Sequence, residues 1–305
     1  MDNRRRAPIA LARILGWGVS ILTIIFVGRI LVRSNLTWSD LFGLRWGMVV
    51  IAVLLFQVWY VVRGWIWMRL LDEVGNSIQI RNVGKVGNDI PRVTRLRQWV
   101  ASELLRYIPG NVWSFVGRYK GAKDAGSETK PAIATIVTEA WILVVGAAVI
   151  AAFALRSESY GQILGLGTAL FSLAPAYAKR FFTINQQKIY WLALLSIVNW
   201  AIYGLAFAIL FRAMPNAPTI SLPLLIGANV AAWLLGYLSL ITPMGLGVRE
   251  AVLIQLLGDF GVTNSIAAFA AAIGRVLLIL GEGLFFMIVW TIEIMQRRRT
   301  LEQKS

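Results

Sequence analysis

Seven stretches of this 305-residue chain are almost wholly apolar and run for 17 to 27 residues: Ile14–Val32, Trp46–Ile66, Ala132–Leu155, Gln162–Ala178, Ile189–Phe211, Leu222–Ile241 and Asn264–Trp290. The hydrocarbon core of a bilayer, roughly 30 Å thick, takes about 20 helical residues to cross. Backbone N–H and C=O groups exposed to lipid find no water, so a spanning stretch satisfies them internally by becoming a helix. Composition agrees, with 58% hydrophobic and 15% charged residues, where soluble domains carry about 45–50% and about 25%. The expectation is a single all-α polytopic membrane domain, residues 1–305, with about seven or eight transmembrane helices.

The chain has no Cys and no His. Disulfides, thiolate metal sites, imidazole ligands and Ser-His-Asp chemistry are therefore excluded. Carboxylates, Arg, Lys and Gly/Pro-shaped backbone remain, and they call for no metal and no cofactor. The net charge of +15 would suggest nucleic acid in a soluble protein, but its placement suggests a membrane. With the N-terminus inside, 22 of the 30 basic residues fall in cytoplasmic segments, four face out and four lie in or beside spans. That bias follows the positive-inside rule, so the charge orients the chain and attracts anionic lipid, and no nucleic-acid partner is expected. The expected location is the cytoplasmic (inner) membrane, multi-pass, with both termini cytoplasmic. Trp38, Trp46, Trp65, Trp67, Tyr160, Tyr177, Tyr190, Trp191 and Trp290 lie near span ends and read as an interfacial aromatic belt.

Two segments are apolar but broken. Residues 98–119 have basic flanks of the same sign and are too short to span, so they read as re-entrant or interfacial. At their centre Pro109 removes a backbone donor and Gly110 admits dihedrals that other residues avoid, which breaks the helix and leaves Asn111 to cap a second one. The second break, in residues 243–260, is Pro243-Met244-Gly245-Leu246-Gly247, followed by a short helix from Val248. This helix would carry the chain most of the way across, so that Arg297-Arg298-Arg299 returns to the inside. Non-helical backbone at membrane depth is tolerated only where protein covers it or water reaches it, so two such places imply a polar cavity. Helix starts exposed there form anion sites, as in transporters with broken helices. The plainer alternative is that Pro and Gly only kink packed helices.

Charges within these segments need partners or water. Arg106, Arg118, Arg249 and Arg275 are candidate phosphate ligands, because the planar guanidinium offers paired donors to phosphate oxygens. Glu139, Glu250 and Glu282 are candidate counter-charges or proton carriers. The plainer alternative is that these charges form internal salt bridges holding helices together: Glu103 with Arg106, and Arg275 with Glu139 or Glu282.

The run Glu103-Leu104-Leu105-Arg106-Tyr107-Ile108-Pro109-Gly110-Asn111-Val112-Trp113 leads to Gly117-Arg118. With Thr138-Glu139, Pro243-Met244-Gly245-Leu246-Gly247-Val248-Arg249-Glu250 and Gly274-Arg275, the chain resembles the transmembrane (flippase) domain of the lysylphosphatidylglycerol synthases over essentially its whole length. The resemblance implies two re-entrant segments and movement of an amphipathic lipid between leaflets, with Arg106, Arg249 and Glu250 carried over from the family's breaks. The synthases continue into a cytoplasmic aminoacyl-transferase domain and this chain ends at Ser305, so a stand-alone member without tRNA-dependent lysyl transfer is expected.

The expected function is translocation, not catalysis. The cargo would be an anionic phospholipid or a polyprenyl-phosphate-linked species, and a separate synthase or glycosyltransferase, or a second copy of the chain, would be the protein partner. Gly245-Leu246-Gly247 lacks the surroundings of a nucleotide-binding loop. Two alternatives stand beside this reading. One is a lipid-modifying transferase, for which only Asp72-Glu73 adjoin among the acidic residues of 72–128. The other is a non-catalytic membrane partner of a separate lipid or glycan synthase.

Overall fold

A computed structural model describes residues 42–79, 91–107, 112–156, 186–239 and 243–302, with a few single positions beside them. The expected spans 14–32 and 162–178 fall outside the described residues apart from single positions, as do Pro109, Gly110 and Asn111. The regular elements are helices: α1 (Trp46–Gln79), α2 (Arg92–Leu104), α3 (Trp113–Asp124), α4 (Thr129–Ala154), α5 (Gln186–Arg212), α6 (Leu222–Leu238), α7 (Val248–Asp259) and α8 (Asn264–Glu302). Turns of 3-10 helix at Leu105–Tyr107 and Pro243–Gly245 follow α2 and precede α7. No strand occurs among the described residues.

Four helices are long and apolar enough to cross a membrane: Trp46–Glu73, Thr129–Ala154, Gln187–Arg212 and Asn264–Arg299. Their outward faces are apolar as well. On α1, Trp46, Val50, Ile51, Leu54, Val58, Val61 and Trp65 are exposed at three- and four-residue intervals, and Val276, Leu280, Leu284, Met287 and Ile288 continue the pattern on α8. Stripes of this kind would be a liability in water and suit a lipid solvent. This is a multi-pass, all-α membrane protein.

Inside, α1, α4, α5 and α6 pack on one another, and α8 closes the bundle against α1, α2 and α7. The core is aromatic. Trp59 lies 4.7 Å from Tyr203, and Trp200 lies 4.2 Å from Trp233, between ring centroids. Trp200 Nε1 donates to the Leu143 carbonyl at 2.9 Å, joining α5 to α4, and Gln57 Nε2 donates to the Gly281 carbonyl at 3.0 Å, joining α1 to α8. Buried indole and amide donors thus find acceptors across helices, where lipid offers none.

Several boundaries differ from expectation. The α1 helix runs past Ile66 to Gln79, and α8 runs past Trp290 to Glu302. Helical hydrogen bonding does not stop where apolar sequence stops, and ion pairs hold the polar extensions: Asp72 with Arg95 at 2.6 Å, and Glu73 with Lys188 at 2.6 Å. The α6 helix ends at Leu238, before Ile241, and its 17 residues fall short of a typical span. Trp46, Trp65, Tyr190, Trp191 and Trp290 are exposed, as a belt requires. Trp67 is not: it is buried, its ring 5.7 Å from the Arg118 guanidinium, because α1 turns that face toward α3.

Burial decides the weight of each indole. Trp200→Ala, at a fully buried site, should destabilise the protein by about 3–5 kcal/mol. Trp191→Ala, 70% exposed on the neighbouring turns, should change little, and thermal unfolding in a mild detergent compares the two.

Candidate functional site

The two 3-10 turns pack against each other, so elements more than 130 residues apart in sequence meet. The second turn is built on unusual backbone. Met244 (φ 53°), Gly245 (φ 66°) and Gly247 (φ 85°) are all in the left-handed region. That region costs a side-chain-bearing residue such as Met244 about 1–2 kcal/mol. At Gly245 the requirement is also steric, since a Cβ would lie 2.5 Å from the Gly236 carbonyl oxygen of α6. The chain can reverse tightly here because Pro243 donates no hydrogen bond and glycine meets no Cβ penalty. Glu250 then accepts from the Gly247 N–H at 2.7 Å and caps the start of α7.

Around the first turn lies a cluster of six buried charges. Glu103 of α2 is its hub: one carboxylate oxygen accepts from Arg63 at 2.8 Å and from Arg106 at 2.6 Å, and the other accepts from Arg118. Arg118 also pairs with Glu139 of α4 at 3.2 Å. Arg106 reaches α8, pairing with Glu282 at 2.8 Å, where the Tyr107 hydroxyl donates to the same carboxylate at 2.7 Å. Arg63 also lies over the Trp59 and Trp99 rings, at 4.9 and 5.5 Å. Five elements (α1, α2 with its 3-10 turn, α3, α4 and α8) thus contribute to one network. Beside it opens a narrow cleft lined by Arg63, Glu103, Arg106, Arg118, Tyr237 and Met244, among others.

A second cluster sits at the second break. Arg275 of α8 approaches Glu250 at 3.6 Å and the Met244 carbonyl at 3.4 Å. Arg249 donates to the Tyr203 hydroxyl and lies over that ring, 5.6 Å from its centroid. A small hollow adjoins Arg249 and Glu250, with Phe56, Phe207, Asn229 and Gly274 in its wall.

Every expected phosphate ligand and counter-charge is buried: Arg106, Arg118, Glu139, Arg249, Glu250, Arg275 and Glu282. The structure brings Arg106, Arg118, Glu139 and Glu282 into one cluster, and Arg249, Glu250 and Arg275 into the other. The Glu103–Arg106 pair forms as expected. Arg275 does not pair with Glu139 or Glu282. Arg106 takes Glu282, Arg118 takes Glu139, and α7 places Glu250 nearest Arg275. Val112 occupies the N-cap position of α3, with no side-chain cap bond. Asn111, the expected cap, is outside the described residues. Arg63, the hub role of Glu103 and Tyr203 were not singled out by sequence reasoning. For Arg63 the signal was partial: an arginine three residues from the end of an apolar span needs a partner unless its side chain reaches water.

The sequence model of the family described as "Lysylphosphatidylglycerol synthase TM region" matches residues 96–281. The match takes in both breaks and the four expected phosphate-binding arginines, and it covers 186 (281 − 96 + 1) of the 305 residues. No curated protein matches the chain.

Removing the hub should be costly, because a carboxylate that pairs with three buried guanidinium groups leaves unpaired charge behind. Glu103→Gln is expected to lose about 3–5 kcal/mol, read as a lower unfolding temperature in detergent. Asp72→Asn, at a partly exposed pair, should cost no more than about 1 kcal/mol.

Proposed function

This chain belongs to the family of lysylphosphatidylglycerol synthase transmembrane regions, and on that premise we propose that it is a lipid translocase. It moves an anionic phospholipid, or a lipid-linked anionic headgroup, between the leaflets of the cytoplasmic membrane, and it catalyses no bond change. The family ties the chain to modification or translocation of membrane lipid. The observation that carries the finer reading is the meeting of the two broken segments, with Arg106 and Arg118 at one and Arg249 and Arg275 at the other, beside a cleft.

The chemistry runs through exchange of partners. Each guanidinium of the first cluster is held by a carboxylate, which keeps the resting site neutral and closed. A phosphate offers the same planar fork the oxygens it already prefers, so a headgroup can displace a carboxylate without exposing bare charge to lipid. The released carboxylate is then neutralised by a proton or by a neighbouring arginine. Glu282, Glu139 and Glu250 take that role on this reading. The hydrocarbon tails stay in the bilayer, where the apolar outer faces of α1 and α8 meet them. Transport on this scheme is downhill or coupled to an ion. The N-terminus and the basic segments face the cytoplasm, and a separate synthase or glycosyltransferase supplies or consumes the lipid.

Reconstitution with headgroup-labelled phospholipid tests the proposal. Arg249→Ala and Arg106→Ala should each slow flipping at least ten-fold, while Arg298→Ala, on the exposed end of α8, should leave the rate unchanged. Equal rates for wild type, Arg249→Ala and Arg106→Ala in well-folded protein would rule the assignment out.

A further inference from the structure

The charges of the two clusters do not balance in the same way. At the first, Arg63, Arg106 and Arg118 face Glu103, Glu139 and Glu282, three against three. At the second, Arg249 and Arg275 face Glu250 alone. Among the described residues Arg249 makes no ion pair. Its side chain is 6% exposed, its Nη1 has no hydrogen-bond partner, and it lines the hollow at the second break. The neighbouring Tyr203 hydroxyl is neutral, and Glu250 is already engaged by Arg275 and the Gly247 N–H. Among the described residues the buried site therefore carries one unbalanced positive charge, and that charge is at the second break.

We infer that this imbalance selects a headgroup of one net negative charge, a phosphodiester, over phosphomonoester and zwitterionic headgroups. The inference deepens the translocase reading and rests on it. Burying net charge away from water is costly, and the cost is least when ligand and pocket sum to zero. A phosphodiester of charge −1 brings the five arginines and four glutamates to neutrality. A phosphomonoester near −2 leaves one buried negative charge with no cation to take it. A zwitterion leaves the surplus cation unanswered, and its ammonium group finds no free carboxylate at this break. Arg249 gives the phosphodiester its point of attachment, through the Nη1 donor that the protein leaves unused.

The test uses the whole chain, purified in neutral detergent at pH 8, where a phosphomonoester is close to −2. Short-chain lipids with phosphoglycerol, phosphatidate and phosphocholine headgroups are titrated, and the rise in unfolding temperature is followed. Phosphoglycerol should reach half-effect at a concentration at least ten-fold lower than either of the others. Glycerophosphoglycerol, which lacks tails, should need at least ten-fold more than its lipid. Glu250→Gln raises the surplus to two while keeping an acceptor for the Gly247 N–H, so preference should move to phosphatidate. Arg249→Gln should abolish the preference for phosphoglycerol. Phosphatidate or phosphocholine acting on wild type at equal or lower concentration would overturn the charge rule, as would an unchanged order in Glu250→Gln. Equal potency of the tailless diester would assign the pocket to a soluble anion instead. The wild-type order carries the test even if a variant does not fold. The vesicle assay stays separate: selective binding without flipping would sink translocation and keep the charge rule, and flipping indifferent to headgroup charge would do the reverse.

Discussion

A guanidinium group keeps its charge inside a membrane, because its proton affinity is too high for burial to neutralise it. An arginine in a bundle of this kind must therefore meet a carboxylate, a ring face, a backbone carbonyl or a ligand. The described residues use all three protein options. Glu103 gathers Arg63, Arg106 and Arg118, the Trp59 and Trp99 rings cover Arg63, and the Met244 carbonyl lies beside Arg275. The positions of α2, α3, α4 and α8 around the first turn follow from these needs, since each helix supplies one side of a pair that none can complete alone. Arg249 meets only the ring and hydroxyl of Tyr203, and what it lacks among the described residues is a negative partner.

The broken backbone and the charges depend on each other. A continuous helix through Pro243–Gly247 would keep its amides and carbonyls to itself. The left-handed residues Met244 and Gly245 instead turn a carbonyl toward Arg275 and press α6 against the break at Gly236. Backbone strain at such a point persists only where the surroundings over-determine it. Here the Gly236–Gly245 contact and the Glu250 cap do so, on either side of the turn. The arrangement of charges at the second break is thus fixed by the fold itself.

Much of this could be read in the amino-acid order. Apolar runs locate α1, α4, α5 and α8, since length and hydropathy suffice for a helix with lipid on one side. Pro and Gly beside Arg mark the second break, and the cost of lone charge marks Arg106, Arg118, Arg249 and Arg275. Pairing was not legible. Glu282 and Arg275 share a face of α8, yet they serve different clusters, because the partners arrive from α2 and α7 by tertiary packing that no local spacing reveals. Arg63 was lost for a related reason: at the edge of a span an arginine can reach water by extending its side chain, and only the packing of α2 shows that this one turns inward. The lengths of α1 and α8 beyond the apolar core were hidden too, because polar helix held by cross-helix ion pairs looks like loop in hydropathy.

The unbroken course of α8 has a mechanical consequence. Arg275, Glu282 and Glu293 ride on one 39-residue element, and Glu293 pairs with Arg97 of α2 and with Arg297. Eighteen residues of helix, about 27 Å, separate the first of these from the last. A stiff rod has no independent parts, so a twist or slide that loosens Arg106 from Glu282 also shifts Arg275 against Glu250 and strains the grip on α2 near the helix's far end. Displacement at one surface of the protein is felt at depth in the same instant, with α8 as the lever arm.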